Sequence, residues 1–352
     1  MKSIAIFQAD LNVGGIQRSL VNLLKSGVLN DFNVDVYLFS KEVFYDMGDL
    51  PNNIKMNYLN PFPYWYRFIP FGVIRKFHKT NKTFKEYDIV IDYDGYRQEC
   101  AFYVTSIERA RKIMWIHSDM FCEYRFNLKY RILYLFFRDK YQYYDEFVAV
   151  SEGVAEPFRK MSRRYDSKVT VVPNIINAEE ILKKSTDSSD IIVDSRKMNI
   201  VCVGRLYLVK GYDFLLKDFW KAYKIRRDLR LYIIGDGPDR KKYQKWVNAN
   251  GLADVVFFLG KKENPFKVMN QMDAFCLESR YEGQGMVLME AKTLGLQLIF
   301  PERLEKYNIG LKGTPDIVKA MANLQKQDKK TDLLEEYHAY LFAQLKVVFN
   351  GR

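Results

Sequence analysis

Two α/β domains, each built on a parallel sheet, follow from three observations on this sequence. Its length is 352 residues, more than one hydrophobic core usually serves and less than three domains need. Short β-branched or aromatic runs alternate with runs of helical period, the mark of parallel sheets with crossover helices. That alternation stops at a polar stretch and then restarts.

The first half reads SIAIFQ as a strand, IQRSLVNLLKSG as a helix and VDVYLF as a second strand. After a break come the strands YDIVIDY and KIMWIHS, the helix-like RFNLKYRILYLFFRDKY, and the strands EFVAVS and VTVVPN. The stretch NAEEILKKSTDSSDIIVDSRK is rich in serine and charge and reads as an interdomain linker over 176–196. The pattern resumes with MNIVCVGR, the helix YDFLLKDFWKAYKI, LRLYIIGDG, a helix over about 238–249, VVFFLG, MDAFCLES and a helix holding Glu290. The expected domains are therefore 1–175 and 197–330, and TDLLEEYHAYLFAQLKVVFN supplies a last amphipathic helix over about 331–349. In open α/β sheets ligands sit outside the carboxyl ends of the strands, so two such domains predict a site in a cleft between them.

Composition narrows the function classes. Hydrophobic residues make up 48% and charged residues 28%, an ordinary globular balance with no segment to read as disordered. Cys100, Cys122, Cys202 and Cys276 fall singly and only three histidines occur, which argues against a disulfide framework or a zinc site and for a cytoplasmic setting. The opening MKSIAIFQADLNVGG is too soon interrupted for a signal peptide, and no apolar run approaches the ~20 residues of a membrane span. The net charge of +12 is unevenly placed. Between Pro61 and Lys85 lie Arg67, Arg75, Lys76, Lys79, Lys82 and Lys85, interleaved with aromatic residues and without an acid. Such mixing suits an anionic membrane surface, with Arg75, Lys76, Lys79 and Lys82 facing it; the plainer reading is a half-buried helix with solvated lysines. No nucleic-acid motif accompanies the charge.

The chemistry-bearing residues fall at strand-to-helix turns. Gly14-Gly15 follows the first strand, where it serves as a tight turn or as an anion site at a helix N-terminus. Gly204-Arg205 ends the strand NIVCV, and Lys210-Gly211 precedes the next helix, so two cations reach one strand end; they suit a diphosphate unless both are merely surface charges. Glu282 precedes a helix and Glu290 lies on its second turn, eight positions on. Between them Gly283, Gln284 and Gly285 are expected to expose the first helical amides to a phosphate. A carboxylate at 290 can accept both hydroxyls of a ribose and one at 282 the hydroxyls of a sugar, so the set reads as a nucleotide-sugar cradle. Asp92-Tyr93-Asp94 spells DxD, a metal signature in another fold, but without that fold's pattern around it no metal is expected.

These motifs resemble those of the retaining GT-B glycosyltransferases of glycosyltransferase family 4. The shared features are the E-x7-E of SRYEGQGMVLMEA, the first loop and helix GGIQRSLVNL, the GR…KG of VGRLYLVKGYDFL, the segment IIGDGPDRKKY, and VAVSEGV…VVPNIIN. The resemblance implies a GT-B fold, two Rossmann-like domains whose parallel sheets face across a cleft, with the last helix returning to the first domain. It implies a hexosyltransferase that uses a nucleoside-diphosphate sugar, a UDP- or GDP-sugar, with retention of configuration and without metal or other cofactor. Arg205 and Lys210 would neutralise the leaving diphosphate, Glu282 would contact the donor sugar and Glu290 the ribose. Gly14, Gly15, Gly204 and the stretch Gly283 to Gly285 would cradle phosphate. His117, ending KIMWIHS, matches the histidine that lies against the donor sugar. The acceptor would be a glycan or a polyprenyl-linked glycan of capsule, O-antigen, exopolysaccharide or teichoic type, handled at the inner face of the plasma membrane. The competing reading is a GT-B homologue without turnover that serves as a partner subunit. One departure stands out: PERLEKYNIGLKGTPDIVKAM, after the strand LQLIF, is shorter than the family's usual segment.

Overall fold

The computed structural model describes residues 1–48, 50–77, 84–161 and 163–351. The chain forms two compact units, Met1–Ile175 with His338–Arg352, and Ile176–Tyr337.

In the first unit the strands are β1 (Lys2–Gln8), β2 (Phe32–Leu38), β3 (Ile54–Tyr58), β4 (Ile89–Asp92), β5 (Arg111–Ile116), β6 (Glu146–Ala149) and β7 (Val169–Val171). They form one sheet in the order β3-β2-β1-β4-β5-β6-β7, every pair parallel. The apolar run Ile4 to Phe7 is fully buried, as a strand covered on both faces requires. Helix Gly15–Lys25 closes one such face by burying Leu20, Val21, Leu23 and Leu24. Strand β3 falls where the sequence shows only a break. It is an edge strand pairing with β2 alone, and only Ile54 of IKMNY is buried, so no apolar pattern announces it. The last helix, Glu335–Asn350, sends its C-terminal part into this unit, where the Phe349 ring lies 5.6 Å from that of Phe32 and Arg111 donates to the Val348 carbonyl.

The basic aromatic stretch becomes a 3-10 turn, Tyr64–Phe68, and a short helix, Phe71–Phe77, that buries Phe71 and Ile74. Lys79 and Lys82 lie outside the described residues. Lys85 is not part of an open basic face: it pairs with Asp35 at 2.5 Å.

In the second unit β8 (Met198–Val203), β9 (Leu229–Ile234), β10 (Val256–Gly260), β11 (Ala274–Cys276) and β12 (Gln297–Ile299) form a parallel sheet in the order β10-β9-β8-β11-β12. Helix Tyr212–Ile225 packs Leu215, Leu216 and Phe219 into a core with Ile200, Leu231, Ile233 and Met321. The expected linker, 176–196, is instead part of this unit. Asn177 caps a helix over Ala178–Ser185 by accepting from the Glu180 amide at 3.0 Å, and Ile181 is fully buried. Asn264 donates to the Lys184 carbonyl and the Asp187 carboxylate, and Lys262 pairs with Asp190. Its polar composition masked one amphipathic face, which is all that a surface helix needs. The shortened segment after Phe300 is ordered as well. It forms a 3-10 turn, Glu302–Tyr307, that buries Leu304 and Tyr307.

Candidate functional site

The second unit brings most of the candidate residues to the carboxyl ends of β8 and β11. After β8 the chain passes Gly204 and the exposed Arg205, turns through Leu208–Lys210, and enters helix Tyr212–Ile225 at Gly211. Gly211 has φ +64°, and a Cβ there would lie 2.1 Å from the Glu278 carbonyl oxygen, so only glycine fits. Gly235 has φ +139° and meets the Gly204 carbonyl as closely, which seats the Gly204–Arg205 turn on the turn after β9. The Tyr212 hydroxyl donates to the Gly204 carbonyl at 2.9 Å.

The loop after β11 is tied to this turn by a residue that the sequence reading passed over. Arg280 donates to both carboxylate oxygens of Asp213 at 2.8 Å and to the Leu208 carbonyl at 2.6 Å, while its amide donates to the Val209 carbonyl. A forked guanidinium on a carboxylate holds geometry as well as charge. The hydrogen bonds from Arg280, and behind them its charge, keep the Asp213 carboxyl below its usual range despite partial burial.

Lys210 and Glu282 then meet. The Lys210 Nζ lies 2.7 and 2.8 Å from the two oxygens of the buried Glu282 carboxylate. Burial works against the Lys210 ammonium, but the Glu282 charge and hydrogen bonds outweigh it and hold its pKa above the usual lysine value. Glu282 retains lone pairs for a hydroxyl, since a carboxylate has about four acceptor sites. Arg205 forms no ion pair among the described residues; its guanidinium carbon lies 5.8 Å from the centre of the Tyr207 ring.

Helix Met286–Thr293 carries Glu290 on a buried face, not on a solvated one. Its entry differs from the expected open set of amides. Gly285 donates its N–H to the Asn308 side chain at 3.1 Å, and Gln284 donates to the Tyr337 hydroxyl at 2.8 Å. Asn308 follows the 3-10 turn of the shortened segment, so the cap comes from 23 residues further on and has no local signal.

Glu278 also went unread. It is 3% exposed, its Oε1 has no partner among the described residues, and its carboxyl is pushed up to about 8. Burial is the main cause, with the Asp218 charge adding and Arg303 opposing. Arg303 donates to the Glu278 and Ser279 carbonyls at 3.1 and 3.2 Å, bracing the loop through its backbone.

In the first unit His117 follows β5, buried, with its ring centre 4.8 Å from that of Tyr93 and tilted 51° to it. Burial drives its pKa down to about 3 against a hydrogen bond to the Tyr93 backbone, so the ring is neutral, and its Nε2 has no partner among the described residues. Gly14 donates its N–H to the Tyr45 hydroxyl at 3.2 Å, and a Cβ on Gly15 would meet nothing within 4 Å. Asp92 accepts from the Tyr144 hydroxyl at 2.6 Å and from the Gly95 amide at 2.9 Å, while Lys140 donates to the Gly95 carbonyl at 2.8 Å. These bonds make Asp92 a buried anchor of the turn after β4. Asp94, its neighbour, is pushed up to about 6 by burial and by the Asp92 charge. All four cysteines are free thiols.

Two parallel-sheet units, of seven and five strands, fit the GT-B fold. Residues 13–180 match the model of Glycosyltransferase Family 4, and residues 183–302 that of Glycosyl transferases group 1. The chain belongs to the glycosyltransferase family 4 type of GT-B proteins. It is 25% identical to an uncharacterized glycosyltransferase of Methanocaldococcus jannaschii over 65% of this chain and 60% of that protein. To an uncharacterized glycosyltransferase of Haemophilus influenzae it is 23% identical over 85% of this chain and 80% of the relative. Among solved structures, Anabaena HepE in complex with UDP and glucose superposes with a TM-score of 0.67 at 13% identity, covering 100% of both chains.

Proposed function

We propose that this chain is a glycosyltransferase that moves a sugar from a UDP- or GDP-sugar to a glycan or polyprenyl-linked acceptor in surface-polysaccharide synthesis. The observation that carries the reading is the Lys210–Glu282 pair, held by the Arg280 clamp beside Arg205 at one set of strand ends. The family membership and the UDP and glucose in the HepE complex support a nucleotide-sugar donor in general.

In this reading Arg205 and Lys210 stabilise the charge that grows on the departing diphosphate, and loss of one such donor commonly costs about 10²- to 10³-fold in rate. Glu290 accepts the ribose hydroxyls, and Glu282, already holding Lys210, accepts a sugar hydroxyl with its remaining lone pairs. His117, as a neutral imidazole, contacts the donor sugar without acting as a base. The departing phosphate takes the acceptor's proton on the face that the acceptor enters, so configuration is retained, and two side-chain cations do the neutralising that a divalent ion would do. The Gly285 amide is not assigned to phosphate, because Asn308 occupies it.

A thermal-shift panel of UDP, GDP, CDP and ADP, each with and without magnesium, tests this reading. One nucleoside diphosphate is expected to raise the melting temperature equally in both conditions, since a ligand at a hundred times its Kd adds about 2.7 kcal/mol. No shift with any of the four would overturn the donor site and point to a partner subunit.

A further inference from the structure

Helix Leu128–Phe137 has a face that the fold leaves uncovered. Tyr130 and Phe137 are buried, whereas Leu128, Ile132 and Leu135 are 69%, 49% and 58% exposed. Their spacing of four and then three residues places them on one stripe. Lone exposed leucines are ordinary, but a stripe of them continuous with exposed aromatic residues is not. Here the stripe does continue: the Phe68 ring lies 6.4 Å from that of Phe136, joining the helix to the turn Tyr64–Phe68, where Trp65 is 58% exposed. Helix Phe71–Phe77 adds Val73 and Phe77, both exposed.

Along both segments of this surface the charged residues are all cations. From Tyr124 to Arg138 the sequence holds Arg125, Lys129, Arg131 and Arg138, and from Pro61 to Phe77 it holds Arg67, Arg75 and Lys76; neither segment contains an acid. Some of these cations are anchored in place. Arg75 lies over the Tyr143 ring and donates to the Thr105 carbonyl, and Arg67 lies over Tyr64. The adjoining acids are Glu123, which Asn127 engages, and Asp139, which accepts from the Gly72 amide at 2.8 Å. Aliphatic side chains flanked by cations on a helix that lies along a surface match the boundary between headgroups and acyl chains of an anionic bilayer. A protein partner rich in acids would satisfy the cations but not the leucines. Among the described residues no helix is long and apolar enough to span a membrane, so the contact is with one leaflet.

We propose that helix Leu128–Phe137 and the adjoining segment Tyr64–Phe77 form a membrane-docking surface that inserts Leu128, Ile132, Leu135 and Trp65 into an anionic leaflet. This adds an apolar anchor to the basic stretch that the sequence reading singled out. The docking is read without any sugar donor, so its failure would leave the transferase reading standing.

The test is flotation of the full chain with vesicles of phosphatidylcholine alone, or with one third phosphatidylglycerol, and quenching of Trp65 by brominated acyl chains. Expected are binding to the anionic vesicles and quenching that disappears in Trp65→Phe. Leu128→Ser/Ile132→Ser/Leu135→Ser should lower the bound fraction by ~10-fold or more at unchanged melting temperature. Lys129→Glu/Arg131→Glu should abolish the preference for phosphatidylglycerol. Equal binding by the serine variant, or an absence of quenching in the unaltered chain, would overturn insertion. Self-association in place of vesicle binding would assign the face to a second copy and overturn the proposal as well.

Discussion

Lys210 and Glu282 stabilise each other in a way that makes their separate loss unequal. Lys210→Ala leaves a buried carboxylate without its cation, a change that costs about 2–4 kcal/mol at such sites, and in the proposed mechanism it also removes a donor to the diphosphate. Turnover is therefore expected to fall about 10²- to 10³-fold, with part of the stability recovered in Lys210→Met/Glu282→Gln. Glu290→Ala should instead raise the Kd for the nucleoside diphosphate, measured by calorimetry. Full activity in both single variants would remove these residues from the site. Glu278 predicts a pH dependence. Its carboxyl titrates near 8 in the folded chain against 4.5 as the unperturbed value, so the folded state holds a proton that the unfolded state has released. Stability from this group is full below the unfolded pKa and is lost as pH rises from about 4.5 to about 8. Glu278→Gln should melt close to the parent at pH ~5 and several degrees above it at pH ~8.5; an equal difference at both would show that Glu278 is not buried as a neutral acid.

Among the elements, the turn into helix Tyr212–Ile225 is the one with least freedom. Gly211→Ala would place a methyl 2.1 Å from the Glu278 carbonyl at a positive φ, and a loss of about 3 kcal/mol or more is expected in urea unfolding. Gly15→Ala, where a methyl meets nothing, is expected to be close to neutral in the same measurement. Sequence periodicity located most strands, because a buried parallel strand is a short apolar run. It missed β3, whose edge position asks for no such run, and it read the helix Ala178–Ser185 as linker because polar residues cover all but one side. The strand-end positions of Gly204, Arg205, Lys210, Glu282 and Glu290 were legible because each motif abuts a strand or a helix start.

For the whole molecule, the division into Met1–Ile175 with His338–Arg352 and Ile176–Tyr337 puts the two proposed functions on different units. The proposed diphosphate site belongs to the second, and the uncovered basic and apolar surface to the first. A nucleoside diphosphate is accordingly expected to leave vesicle binding unchanged, and the serine variant of helix Leu128–Phe137 to leave the diphosphate-induced thermal shift unchanged. By itself the sequence determined the two parallel sheets, the order of their strands along the chain and the turns that carry the candidate site residues, because these depend on local periodicity and on glycine placement. Only the tertiary structure decided that Lys210 is already bound to Glu282, that Asn308 occupies the Gly285 amide, that Glu278 is held uncharged, and that Leu128, Ile132 and Leu135 face outward. Each of these depends on neighbours far away in the chain, and pairing and burial are set by what folding brings close.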